Sequence, residues 1–376
     1  MHLSTSSSEA AARYLRAAWV LVSGVVLICI AIEALSGWVL DRSSLTQQRI
    51  NAELPAVLRL RQGSAEKKSI LIVGNSLLVE GLKPDLLQAD LGKNYQVAPL
   101  LIESTSYFDW YYGLRRLFRE GSRPDIVIVG LAATMFLERQ VRPDYFSQNL
   151  LDRRDTLAVS HDLGYSRTAA ASLFAGTLSR FWGNRSVIRN RVLDTVFPGM
   201  AVLARTLARR PKPGLTQEQF DAQLERVLPS RLSALHLLCQ QYGAELVILL
   251  PPVAEANDHL AVVSKVAHTM RTSVILPLHS ETLTASDFSD GIHLTDTRAI
   301  DFTHATATAI NQCQKPVVSR QNGEGTVLAP AGTQRAGQPG RPLNRSKANL
   351  APGSQLSSLR QSVESATSVV SRKFLS

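Results

Sequence analysis

The sequence predicts an α/β fold: a three-layer α/β/α sandwich around a parallel sheet of about five strands, preceded by one transmembrane helix. Three observations predict it. Short apolar, β-branched segments alternate with longer segments of helical periodicity, the order expected when parallel strands are joined by helical crossovers. Each strand segment is apolar along nearly its whole length, so both of its faces must be covered. Residues 17–40 form an apolar run with one charge, Glu33, long enough to cross a hydrocarbon core as a helix.

The plan along the chain follows. Residues 1–16 are a short polar tail. In the run 17–40, Trp19 and Trp38 stand about 29 Å apart at the helical rise and match aromatic belts at two membrane interfaces. The rival readings are a buried globular helix and, more strongly, a cleaved signal peptide with Ala34-Leu-Ser36 as its small-residue cleavage site. Arg13 and Arg16 precede the run and Arg42 and Arg49 follow it, so charge sets the orientation weakly. The short leading tail places the N-terminus in the cytoplasm. Residues 41–68 read as a partly helical linker, 69–314 as the α/β domain with a helical insertion at 141–215, and 315–376 as a disordered basic tail rich in Gly, Pro, Ser, Gln and Arg.

The first strand is 69–73. It runs into Gly74-Asn75-Ser76-Leu77, where the glycine permits a sharp exit and Pro84 suits the first turn of a following helix. Residues 95–102 form a second strand that Pro99 assigns to an edge or a bulge. It ends at Glu103-Ser-Thr-Ser106 and leads into a helix to about Glu120, with Trp110, Tyr111, Leu114, Leu117 and Phe118 at helical spacing. The third strand is 125–130. Within 141–215 arginines and Phe181-Trp182 accompany short helical stretches without a strand. They read as a lid for an anionic glycan or lipid headgroups, or as a solvated helical excursion. A long helix covers 216–242, capped by Thr216, and Pro229 requires a kink or break in it. The fourth strand is 245–250 and the fifth 273–278. A loop at 279–297 carries Asp290 and His293, and the last helix is about 298–313.

Composition excludes several classes. The three cysteines rule out a disulfide framework; Cys239 and Cys313 fit one optional bridge or two buried thiols. No Cys/His cluster has zinc spacing. The net charge of +10 is concentrated in 151–212 and 315–376, and no nucleic-acid motif is present.

The chemistry points to Ser76, Asp290 and His293. A serine hydroxyl becomes nucleophilic when a histidine takes its proton, and a carboxylate must orient that histidine. Asp290-Gly-Ile-His293 places acid and base three residues apart in a glycine-containing loop. Ser76 and this loop both follow carboxyl ends of strands, where open parallel sheets gather their chemistry. His161, His236, His259, His268, His279 and His304 have no comparable companion in the sequence.

Gly74-Asn75-Ser76-Leu77 resembles the first block of the SGNH (GDSL-type) hydrolase superfamily, with Asn for the commoner Asp, and Asp290-Gly-Ile-His293-Leu-Thr resembles its last block. The resemblance covers roughly 68–314. It implies an SGNH/flavodoxin-like sandwich, Ser76 as nucleophile, His293 as base, Asp290 as its orienting acid, and cleavage or transfer of acyl esters without a cofactor. The chain departs from the family in the two middle blocks. The usual oxyanion glycine is replaced by Glu103-Ser-Thr-Ser106, and the usual Asn is absent from Gly130-Leu-Ala-Ala-Thr134. Asn75, Ser104, Ser106 and Gly130 remain as oxyanion or substrate candidates. Similarity to membrane-tethered relatives implies an esterase or O-acetyltransferase acting on a cell-envelope or exported polysaccharide from the periplasmic face of a bacterial inner membrane. A membrane protein supplying acyl groups would be a partner, and nucleic acid would not. The alternative is a non-catalytic SGNH-like glycan-binding or scaffold subunit of a polysaccharide export or modification complex. A third is lipid binding through the insertion and tail.

Overall fold

The computed structural model describes residues 6–64, 66–197, 199, 216–254, 259–313 and 327–328. All belong to one compact unit, Met1–Ala331.

Five strands form the parallel sheet: β1 (Lys68–Gly74), β2 (Tyr95–Leu101), β3 (Ile126–Gly130), β4 (Glu245–Leu249) and β5 (Ser273–Ile275). A sixth, β6 (Val327–Leu328), pairs parallel with β5. The order is β2-β1-β3-β4-β5-β6, with the chain reversing direction of travel at β1, as in doubly wound sheets. β2 is an edge strand, which is where Pro99, lacking an N–H, can sit. Val327–Leu328 lie within 315–376, the stretch expected as a disordered tail. The rest of that tail, including Val369, Val370, Phe374 and Leu375, lies outside the described residues.

Side chains alternate across each strand, and the alternation divides the core in two. Leu71, Val73, Val127, Val129, Leu246 and Ile248 share one cluster with α2 (Leu45–Leu58), α5 (Tyr107–Arg119), α10 (Gln217–Gln241) and α11 (Leu260–Thr269). Ile70, Ile72, Ile126, Ile128, Val247 and Leu249 share the other with α3 (Ser76–Gly81), α4 (Pro84–Leu91) and α12 (Asp296–Cys313). Helices thus cover both faces, and the central strands β1 and β3 are apolar and buried along nearly their whole length.

Four local differences from the sequence reading have physical causes. The stretch expected as a linker contains α2, whose Ile50 and Val57, two helical turns apart, are buried in the core. The helix α10 is continuous through Pro229, because buried Leu224, Leu228, Leu232 and Leu235 hold both halves to the same surface; Thr216 and Gln219 form its capping box. β5 stops at Ile275, two residues before Pro277. The insertion is not wholly peripheral: Tyr145, Phe146, Leu150, Leu151 and Val159 join the core. Beyond them α6 (Thr156–Asp162), α7 (Arg167–Leu178), α8 (Arg180–Gly183) and α9 (Arg185–Val196) follow. Residues 200–215 lie outside the described residues.

The N-terminal apolar run is one helix, α1 (Ser6–Ser43), and its segment Ala12–Ser43 is long and apolar enough to cross a membrane. Most of its surface is exposed, but Ser36 and Leu40 are buried against the rest of the chain.

Candidate active site

The end of β1 positions Ser76. Asn75 is the N-cap of α3, and its Oδ1 accepts a hydrogen bond from the Leu77 N–H at 3.1 Å. Ser76 is therefore the first helical residue beyond the strand. Two residues later Leu78, fully buried, folds down onto the ends of β1 and β3. Gly74 and Gly130 are register partners there. A Cβ at Gly130 would lie 2.2 Å from Leu78 Cδ1, and one at Gly74 would lie 2.6 Å from the Gly130 carbonyl oxygen. The two glycines thus make room for Leu78, and Leu78 holds the turn that carries Ser76. Gly130, an oxyanion candidate in the sequence reading, does not line the Ser76 cavity; what the structure shows for it is this packing role.

The loop after β5 forms the second half. Asp290 Oδ1 accepts from the backbone N–H groups of Ile292 at 3.0 Å and His293 at 2.8 Å, and Oδ2 lies 2.8 Å from His293 Nδ1. An antiparallel bridge between Phe288 and Leu294, with the Ser289 N–H donating to the His293 carbonyl at 2.8 Å, pins the turn. Partial burial pushes the Asp290 carboxyl up, but the hydrogen bonds from His293 and Ile292 outweigh it and hold the group below the usual carboxylate range. A charged carboxylate at Nδ1 favours the tautomer in which Nε2 is the free acceptor. His293 Nε2 is buried and has no hydrogen-bond partner among the described residues, and none joins it to Ser76.

A cavity of about 280 Å³ brings the two halves together. Asn75, Ser76 and Leu77 line it from the end of β1, Ala132 to Met135 from beyond β3, Leu250 and Pro251 from beyond β4, and Gly291 and Ile292, which directly precede His293, from the loop. Its walls are mainly apolar. Ser104 and Ser106 do not line it. Ser104 is exposed at φ 57°. Ser106 is buried as the cap of α5, its hydroxyl donating to the Gln140 carbonyl at 3.2 Å while its N–H donates to Asp109 at 2.9 Å. The Ser106 hydroxyl and N–H are thus committed to the fold of the loop after β2.

Two lining residues went unselected in the sequence. Thr134 lies just beyond the end of β3, and a hydroxyl at that strand end is the signal the sequence carries for it. His259 has no companion in the local sequence, yet its Nδ1 lies 2.6 Å from Asp221 Oδ1 and its ring packs against Phe220 with centroids 4.4 Å apart and planes tilted by 32°. The partner is 38 residues away on α10, beyond any local pattern. His304 likewise pairs with Asp90 at 2.6 Å, bridging α12 and α4. Among the described residues no group of three or more His, Cys, Asp or Glu side chains is placed to hold a metal ion. The Cys239 thiol is buried, which pushes it up to about 12.

No family model and no curated protein matches the chain. Among solved structures the chain is similar to a GDSL-like lipase from Bacteroides thetaiotaomicron VPI-5482, at 11% identity over 71% of this chain and 95% of that one, TM-score 0.35. It is similar to TesA at 16% identity over 65% and 99% of the two chains, TM-score 0.32. It is also similar to an Axe2 variant, an acetyl xylan esterase from Geobacillus stearothermophilus, at 13% identity over 67% and 96%, TM-score 0.31.

Proposed function

We propose that the protein is an SGNH-type serine esterase or O-acyltransferase acting on short acyl groups, acetyl foremost, of a cell-envelope or exported polysaccharide. The observation that carries the reading is the Asp290–His293 pair with its buried, unpartnered Nε2, next to the two residues that share a cavity with Ser76. A buried acceptor without a partner costs free energy, and a proton to accept from a nucleophile would give it a use.

The steps follow from these atoms. Ser76 Oγ attacks the acyl carbonyl as His293 Nε2 takes its proton, and Asp290 stabilises the imidazolium. The oxyanion meets the N-terminal turn of α3 and the Thr134 hydroxyl, which takes the place of the family Asn. The intermediate collapses, His293 returns the proton to the departing sugar oxygen, and the acyl group stays on Ser76. Water, or a second sugar hydroxyl, then attacks the acyl-enzyme with His293 again as base. Water makes the protein a hydrolase; a sugar hydroxyl makes it a transferase, for which a membrane acyl-donor protein would load Ser76. The mainly apolar cavity of about 280 Å³ favours a short acyl chain, and the candidate membrane span favours a substrate at the cell envelope.

The test is the full chain in nanodiscs, treated with a fluorophosphonate probe and assayed with an aryl acetate. Labelling and acetate release that disappear in Ser76→Ala and His293→Ala support the proposal. A folded chain that neither labels nor hydrolyses would favour the non-catalytic scaffold.

A further inference from the structure

The insertion meets the apolar helix α1 in an unusual way. Glu33, the one charge in the apolar run, is bound by the start of α8: the Ser179 hydroxyl donates to it at 2.7 Å, the Phe181 N–H at 3.3 Å, and the Arg180 N–H completes the set. Further along α1, Gly37 faces Arg180, where a Cβ would lie 3.0 Å from Nη1, and Asp41 pairs with the same guanidinium at 3.3 Å. The short helix α8 therefore lies along residues 33–41 of α1. At the helical rise Glu33 is only about 7.5 Å from Trp38, so α8 sits at the depth where the apolar run ends. On the other side of Glu33, Val25, Ile28 and Ile32 are exposed.

The same insertion exposes apolar side chains that no part of the described chain covers. Phe174 and Leu178 are one turn apart on α7, and Val192 and Val196 one turn apart on α9. On α9 the stripe continues through Arg189 to Arg185 at helical spacing, so apolar and cationic groups share one face. Arg185 lies 5.1 Å over the Trp182 ring, and Arg42, on α1, lies 4.9 Å over Trp38. Paired tryptophan and arginine are the side chains that sit at the boundary of lipid and water, with ring or stem in the apolar layer and the polar end at the phosphates.

We propose that α7 to α9 form a platform that rests on the bilayer surface beside α1, with Leu178, Val192 and Val196 in the lipid and Arg185 and Arg189 at the phosphates. The occupant of this face is lipid because the face continues the surface of a helix already apolar enough to span a bilayer, and because its cations match anionic headgroups. The inference rests on α1 being retained as an anchor, and the structure supplies a reason for that. Cleavage after Ser36 would remove Glu33 and leave the start of α8 without its acceptor. It is independent of the esterase reading.

The experiment uses the full chain in nanodiscs of phosphatidylethanolamine and phosphatidylglycerol, in a Cys29→Ser, Cys313→Ser background. Spin labels are placed singly through Leu178→Cys, Val192→Cys and Val196→Cys, with Val25→Cys as the lipid reference and Lys93→Cys as the water reference. Collision with oxygen and with a water-soluble nickel chelate is read for each. The platform predicts a shift at two or more of the three sites from nickel-dominated towards oxygen-dominated relaxation, as at 25. Nickel-dominated relaxation at two or more sites, as at 93, overturns it, and so does protection from both agents, which would indicate a protein cover. A second readout avoids labels: brominated lipid should quench the fluorescence that wild type loses in Trp182→Phe. If that difference signal is not quenched, the proposal fails.

Discussion

Replacing Gly130 by Ala tests how the fold seats its serine. The added methyl would stand 2.2 Å from Leu78 Cδ1 and 3.0 Å from Cγ, whereas apolar carbons rest at about 3.5–4.0 Å. Leu78 must retreat by more than 1 Å (about 1.5 Å from the same contact distance). It is fully buried among Ile70, Ile72 and Ile128, so the retreat cannot be a free rotation. Overpacking of this kind costs about 1–3 kcal/mol, which for a domain of this size lowers Tm by about 2–12 °C. Leu78 lies two residues from Ser76, so the strain passes to the proposed nucleophile, and a displacement of about 1 Å can cost about 100-fold in rate. The diagnostic is the cycle with Leu78→Ala. Alone that variant loses about 2–5 kcal/mol to a cavity, but the methyl that Gly130→Ala adds fills part of the cavity. The double variant should therefore be more stable than the sum of the singles by about 0.5–3 kcal/mol. Thermal unfolding of the full chain in nanodiscs and aryl acetate turnover read both effects. A Gly130→Ala chain that melts with wild type, or a cycle that is additive, would refute the packing account.

Three further outcomes follow from the geometry. Asp290→Asn should keep the turn but misorient the imidazole, lowering aryl acetate kcat by about 10²–10⁴-fold; unchanged turnover would remove Asp290 from the mechanism. His259→Phe preserves the ring contact with Phe220 and deletes the bond to Asp221, so it should raise KM by about five- to tenfold with kcat held; a fall in kcat at constant KM would instead make His259 a catalytic residue. Asp109, buried at the cap of α5, is pushed up to about 7 by burial, against the hydrogen bonds from Arg142 and Ser106. Its folded pKa exceeds the unfolded one, so its contribution is fully present at acid pH and is lost as pH rises towards and through 7. The loss is on the order of 4 kcal/mol. Melting curves between pH 5 and 8 should show Asp109→Asn flattening the alkaline decline, with a remnant from Glu53, which burial also raises to about 7. An equal slope in the variant would exclude Asp109 as its source.

What the sequence revealed was local. β1 with its exit turn is one unbroken segment, and the Asp290–His293 contact closes over three residues, so both could be read from spacing. The strand pattern sufficed for five strands, and Pro99 narrowed its strand to an edge or a bulge, of which the sheet order shows the edge. What it could not reveal was long-range pairing. Asp221 and His259 meet because α10 packs on α11, and Glu33 meets Ser179 across 146 residues. Ser106 was a reasonable donor by type, and only the fold shows that its hydroxyl and N–H are used in capping. Val327–Leu328 is too short for any periodic signal. Ile50 and Val57 did carry a helical spacing, but in a stretch too polar on average to suggest a core helix.

The burial of α2 changes the mechanical picture of the whole chain. A linker over 41–68 would let a catalytic domain swing on its anchor and sample a wide volume beyond the membrane. Instead only Ser44 separates α1 from α2. Ser44 caps α2 through the Gln47 N–H, and its hydroxyl also lies 2.6 Å from the Tyr145 hydroxyl. Arg49 of α2 and Arg142 at the start of the insertion both bind Glu103, at the end of β2. Three separate segments thus clamp the junction where α1 enters the domain. With α1 in a bilayer, the Ser76 cavity is held at one height and one tilt, and the domain does not reach out for its substrate. If the proposed function holds, a glycan or acyl donor would have to come to the membrane surface to reach Ser76, which would suit a chain still passing through the membrane better than one already released.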